Sequence, residues 1–278
     1  MVSHVAGAAL RAILVAVLVA LPSLMLAQGA QETSQIILLI AIVAGLLTFV
    51  DYSAKSPTII EFRFASPINR IKFVALALTV LTLSSIARGG ANPGSLTLLL
   101  GDFGRMLGGA LDFPYSPVRH VLLLVPAHTP LAVADFVGIA AGLSYSASLV
   151  MVVLFAIMVR VTGWPVRRGA FNVWMNLPMF DPTRGGDVVH KLQREAGINI
   201  SLGFLMPFLL PVIVTVMQGV FETASVLHAH TLIWMICGWA FLPAGLVMRG
   251  IAMYRVAELI SAKRRRAYAQ AEDALQTV

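Results

Sequence analysis

Apolar residues gather along this chain into runs that are too long and too continuous for the interior of a soluble domain. A helix crossing a bilayer needs about 20 mostly apolar residues, because about 1.5 Å of rise per residue must cover roughly 30 Å of hydrocarbon. Six stretches fit or approach that requirement: Ala6 to Ala27, Gln35 to Val50, Ile71 to Ala87, Phe136 to Val161, Ile198 to Val220 and Thr231 to Met253. Backbone groups in lipid must bond to one another, and these long runs lack the ten-residue alternation of a membrane barrel. The pattern predicts an all-α polytopic transmembrane bundle of six spans over residues 1–262, with a basic tail over 263–278.

The first run has a competing reading. Arg11 followed by AILVAVLVALPSLMLA and then QGAQ resembles a secretory signal peptide, whose removal would leave five spans in the same orientation. No clean A-x-A site follows it, and the run from Ala6 is long enough to cross, so a retained helix is expected.

The connections carry patterns of their own. In the first, Asp51 to Phe73, two Ser-Pro pairs bracket a short piece in which Ile60, Phe62 and Phe64 alternate with Glu61 and Arg63. If it is extended, the apolar groups lie on one side and a charge pair on the other, as a hem along the membrane surface. In the long connection from Arg88 to Asp135, Leu96, Leu99, Leu100, Phe103, Leu107 and Leu111 recur at helical spacing after Ser95, which suits an N-cap, while Asp102, Arg105 and Gly109 fall elsewhere. That spacing predicts an amphipathic helix at the surface or folded over the bundle. Four prolines then break the chain, and Val121 to Val125 is expected to dip back to the interface. In the connection from Val161 to Asn199, Asp187 should cap a short helix ending at Gly197. Arg184-Gly185-Gly186 just before it is a turn of the kind that can hold phosphate, although neither GxxxxGKS/T nor GxGxxG is present. After the last span a helix is expected to leave the membrane and fray by AEDALQTV.

Composition agrees with a membrane class: 58% of the 278 residues are hydrophobic, 12% are charged, and mean hydropathy is +0.85. The excess of 20 basic over 13 acidic residues reports orientation rather than nucleic acid. With the N-terminus in the cytoplasm, all the Lys and Arg except Arg88, Arg105 and Arg119 fall on the cytoplasmic side, and those three share one long outer loop. The expectation is a plasma-membrane protein, bacterial inner membrane, with cytoplasmic termini and a periplasmic loop over 88–135. The quartet Lys263, Arg264, Arg265 and Arg266 is expected to contact anionic lipid headgroups, each cation gaining roughly 1 kcal/mol.

Candidate chemistry is sparse. His120, His128, His228 and His230 share the outer side and are the one set able to hold a metal or haem, although His228 and His230 could share a metal only from extended backbone. The competing reading sets His230 one turn from Trp234 as an interfacial pair. Cys237 is the lone cysteine, so no disulfide within the chain and no CxxC site exists. Pro207 and Pro211, with Gln218 nearby, offer a kink whose freed carbonyls could serve a pathway. Gly138, Gly142 and Ser146 repeat every four residues, as a helix-packing or partner face requires. There is no HExxH, no GxSxG, no phosphate loop and no pair of carboxylates in one apolar cleft. The reading these observations favour is an accessory, scaffold or assembly component with a protein partner or self-association in the bilayer. A transporter or channel comes next, and a haem- or metal-dependent redox protein third.

Overall fold

The computed structural model describes residues 2–26, 31–55, 58–90, 93–165, 172–181, 186–217 and 228–276. All regular structure among them is helical: α1 Val2–Met25, α2 Gln31–Ser53, α3 Ile68–Gly89, α4 Ser95–Leu111, α5 Pro117–Leu122, α6 Leu131–Val161, α7 Val173–Asn176, α8 Val188–Met217 and α9 Ala229–Gln276. Six of them, α1, α2, α3, α6, α8 and α9, are long and apolar enough to cross a membrane. The chain is a polytopic integral membrane protein, and lipid is the medium around its long helices.

The spans coincide with the apolar runs, but three helices overshoot them. α6 has 31 residues, α8 has 30 and α9 has 48, so at about 1.5 Å per residue each is longer than the roughly 30 Å of hydrocarbon. The overshoot of α8 corrects one expectation. Asp187 does stand at the helix start, its carboxylate accepting from the N–H groups of Val189 and His190. Gly197 stops nothing, however, because the helix runs on into the apolar run and tertiary packing outweighs the glycine's modest helix penalty. Likewise Ser95 is the first helical residue of α4 rather than its cap, which is the extended Gly94. The Arg184-Gly185-Gly186 turn lies outside the described residues apart from Gly186, whose φ is +92°. The helix expected to fray by AEDALQTV continues to Gln276, exposed over its last residues.

Two apolar cores stack along the bundle. One lies at the end that carries Arg63, Lys72 and Arg249, called the basic end here. It joins Met151, Phe155 and Val159 of α6 to Leu192 and Ala196 of α8, Met248, Met253 and Val256 of α9, and Phe62, Trp164, Leu177 and Phe180 from the connections. The other, at the opposite end, joins Val80 and Leu83 of α3, Val118 and Val121 of α5, Val137, Ala140 and Ala141 of α6, Ile233, Ile236 and Ala240 of α9, and Leu18 of α1. α5 is a short helix with good local reasons to form: Pro117 occupies the first turn and the Ser116 hydroxyl accepts from the Arg119 N–H. Its Val118 and Val121 are how the connection dips back into the bundle.

Glycine permits the closest helix approaches. A β-carbon on Gly142 would lie 2.4 Å from the backbone nitrogen of Gly108, so α6 and α4 touch backbone to backbone there. A β-carbon on Gly203 would lie 2.5 Å from the Pro243 carbonyl and one on Gly250 2.7 Å from the Ala196 carbonyl, which draws α8 against α9. α1 and α2 approach at Gly45, whose β-carbon would lie 3.1 Å from the Ala12 carbonyl.

Candidate functional site at the basic end

Polar groups are concentrated at the basic end, and the first connection organises them. Asp51 closes α2 and is buried. Its Oδ1 accepts from Thr58 N–H and Thr58 Oγ1, both at 2.8 Å, and from Ile59 N–H at 3.1 Å, while Oδ2 accepts from Ile60 N–H at 3.0 Å. One carboxylate thus satisfies three backbone donors that a turn would otherwise leave unpaired. Arg63 returns the favour to the helix. Its guanidinium donates to the carbonyls of Asp51, of Ala54 at 2.9 Å and of Lys55 at 3.4 Å, capping orphan acceptors at the negative end of α2. Burial holds the Arg63 pKa below the ordinary arginine value, with the Asp51 charge opposing that shift.

This clasp replaces the extended hem expected from the alternation of Ile60, Phe62 and Phe64. The segment is a run of turns with Phe62 at φ +54°, so successive side chains do not alternate. Phe62 is buried while Phe64 is half exposed. Nor do Glu61 and Arg63 form a pair, since each finds a different partner. Phe62 N–H donates to the Asn176 carbonyl at 2.6 Å, Phe64 N–H to Asn176 Oδ1 at 3.2 Å, and Trp164 Nε1 to the Ala65 carbonyl at 3.1 Å. Two connections distant in sequence are thereby laced together, with Trp164 against Phe62 and Phe155 at ring centroid distances of 5.7 and 5.5 Å.

Glu61 carries the lacing into the bundle. Arg249 of α9 donates to it through Nε at 2.6 Å and a second nitrogen at 2.9 Å, a bidentate pair with both side chains mostly removed from solvent. Glu195 of α8 stands 3.9 Å from the same guanidinium. Lys72 of α3 lies alongside: its Nζ is 3.9 Å from where a β-carbon on Gly245 would sit, one turn before Arg249. Farther out, Arg264 of α9 donates to Asp187 at 2.5 Å, and that hydrogen bond holds the Asp187 carboxyl below its usual pKa. In the sequence Arg249 and Lys72 mark only sidedness, Arg63 stands beside Glu61 as half of a charge pair, and Arg264 belongs to the quartet expected at lipid headgroups. The detectable signal was Glu61, one of two acids in a connection with four basic residues, but nothing in spacing could pair it with a residue 188 positions away.

The kink residues have a definite arrangement. Pro211 lacks the N–H that would bond the Pro207 carbonyl, and Trp239 Nε1 of α9 donates to that carbonyl instead, at 2.9 Å. Thr215 Oγ1 donates to the Pro211 carbonyl at 3.0 Å. Gln218 lies outside the described residues.

At the opposite end the four histidines are dispersed over separate elements: His120 in α5, His128 in the turn before α6, His228 just before α9 and His230 in its first turn. His230 Nδ1 lies 3.4 Å from Ser23 Oγ of α1. Among the described residues no three His, Cys, Asp or Glu side chains stand together in a way that could hold a metal ion. An open cavity of about 450 Å³ is lined by Asp112, Pro114, Tyr115, Arg119, His120 and Leu123, with Arg119 and Asp112 paired at 3.2 Å on its rim. Gly142 is covered by α4, Gly138 lies next to Leu122 of α5 and its carbonyl lies under Gly108, and Ser146 follows on the same helix. Lys263, Arg265 and Arg266 are exposed on the continuation of α9.

Comparison with protein-family models, with curated proteins and with solved structures finds no match to this chain.

Proposed function

We propose that this protein is a scaffold, an accessory or assembly component of a larger complex in a bacterial inner membrane, with both termini in the cytoplasm. The observation that carries this reading is the position of α2. It packs on α1 through the Gly45 side and leaves Ile36, Leu39, Val43, Leu46, Leu47 and Val50 exposed, so more than half of its circumference is free for another helix. The polar groups of the basic end support it too, because Asp51, Glu61, Arg63 and Arg249 are consumed in holding connections to helices. Van der Waals packing between helix faces is one of the terms that drive association within lipid.

The test is purification in mild detergent followed by native mass measurement and cross-linking. A stoichiometric partner, or a second copy of the chain, is expected, and Leu39→Trp with Leu46→Trp should release it without unfolding the protein. A monodisperse single chain with no partner, unchanged by those substitutions, overturns the reading.

Transport is the second reading, and the proline cluster of Pro207, Pro211 and Pro243 at the α8–α9 contact favours it. Solute flux into vesicles carrying the purified chain, lost with Pro207→Ala and Pro211→Ala, would put it first. Haem absorption or bound metal lost with His228→Ala and His230→Ala would promote the redox reading.

A further inference from the structure

α4 divides into three sectors around its axis. Gly101, Gly104 and Gly108 are buried, and β-carbons on the last two would meet Ile139 at 2.6 Å and the Gly138 carbonyl at 2.7 Å, so the helix docks on α6 through glycine. About 100° of turn per residue places Leu96, Leu99, Phe103 and Met106 together in a second sector, and all four are exposed, from 50% for Phe103 to 68% for Leu96 and Leu99. Asp102 and Arg105 occupy the third, where Arg105 donates to Asp102 at 2.7 Å and to Asp135 of α6 at 2.9 Å. Leu98 is the one large apolar residue on that charged side. Of the apolar stripe legible in the sequence, Leu96, Leu99 and Phe103 therefore face away from the bundle, while Leu100, Leu107 and Leu111 are half-buried on the side toward it.

The length of α6 fixes the depth of this arrangement. Arg160 marks its basic end, and about 20 residues of hydrocarbon-spanning helix from there reach the neighbourhood of residue 140. The residues that α4 touches, Asp135 to Leu143, straddle that level. An apolar sector beside a charged one at the boundary between acyl chains and water is the arrangement of a helix lying in the interface plane. We propose that α4 is an interfacial helix, locked to α6 by its glycines, with Leu99, Phe103 and Met106 immersed in the phospholipid leaflet at that end and the Arg105 network facing water. The occupant is bulk phospholipid rather than a second copy, because the charged sector adjoins the apolar one directly, as the edge between water and lipid demands. This inference does not depend on the scaffold reading.

Full-length protein with Cys237→Ala, reconstituted in phosphatidylcholine and phosphatidylglycerol vesicles, would carry single nitroxide labels through Leu99→Cys, Phe103→Cys, Met106→Cys, Asp102→Cys or Gly109→Cys. Collision with oxygen is expected to exceed collision with a water-soluble nickel chelate several-fold at the first three sites, with the order reversed at the last two. Equal nickel access at Met106 and Asp102 would place α4 in water, and loss of access to both reagents at Phe103 and Met106 would place another protein surface over it. Either result overturns the proposal, and because three sites report the apolar sector, failure of one variant to fold leaves the test intact.

Discussion

The indole Nε1 of Trp239 donates to the carbonyl of Pro207 at 2.9 Å, and that carbonyl is the one Pro211 cannot serve. A buried carbonyl left without a donor costs about 1–3 kcal/mol. Trp239→Phe should therefore lower stability by about that amount, plus a smaller packing loss. In the same background Pro211→Ala supplies a backbone N–H to the same carbonyl and should recover part of the loss. Unfolding of the four proteins in one detergent checks this, and equal effects of Pro211→Ala with and without Trp239 would refute it.

The Glu61–Arg249 pair should behave as a unit. Removing one partner of a largely buried ion pair costs about 3–5 kcal/mol, because the other charge remains without compensation. Glu61→Gln and Arg249→Gln should each be strongly destabilising, and the double variant less so than their sum. Limited proteolysis within 58–67 gives a second readout, since release of Glu61 frees that connection from α9.

Glycines that look alike in sequence should respond oppositely to alanine. Gly142→Ala pushes a methyl group to 2.4 Å from the Gly108 backbone, which cannot yield as a side chain would. Overpacking of this kind costs about 1–3 kcal/mol or more. Gly109 has nothing within 4 Å of its β-carbon position, so Gly109→Ala should stabilise α4 by up to about 1 kcal/mol. Midpoints of thermal unfolding decide between the two signs.

A pH effect attaches to Asp187. Its carboxyl is held below the reference value of 3.8 chiefly by Arg264, so its contribution is complete above that reference value and disappears as pH falls through the lower folded value. Arg264→Gln should move the Asp187 titration upward, back toward 3.8. Carboxyl carbon shifts in labelled protein measure this directly, and an unchanged midpoint would mean that the backbone donors at Val189 and His190 alone set it.

Spans were the most legible part of this fold, because they follow from hydrophobic length, a property of contiguous residues. Boundaries were less so: α8 extends ten residues before Ile198, since neither Asp187 nor Gly197 announces that one helix will carry both a polar and an apolar stretch. The α4 stripe was correctly periodic, and of the two placements open to it, at the surface or folded over the bundle, Leu96, Leu99 and Phe103 take the first. Periodicity locates an apolar face and says nothing of whether protein or lipid meets it, and the glycines at 101, 104 and 108 were the overlooked pointer. Glu61 and Arg249 were invisible as a site because their pairing joins residues far apart in sequence, and Asp51 because its partners are mostly backbone N–H groups, which leave no mark in a sequence.

α3, α6 and α9 each contribute to both apolar cores and run through them as continuous helices, with Pro243 as the point where α9 is weakest. A change of packing in one core would thus reach the other along three helices, and the clasped connections at the basic end join those helices to their neighbours. Such a frame ties the two ends of the bundle to one another.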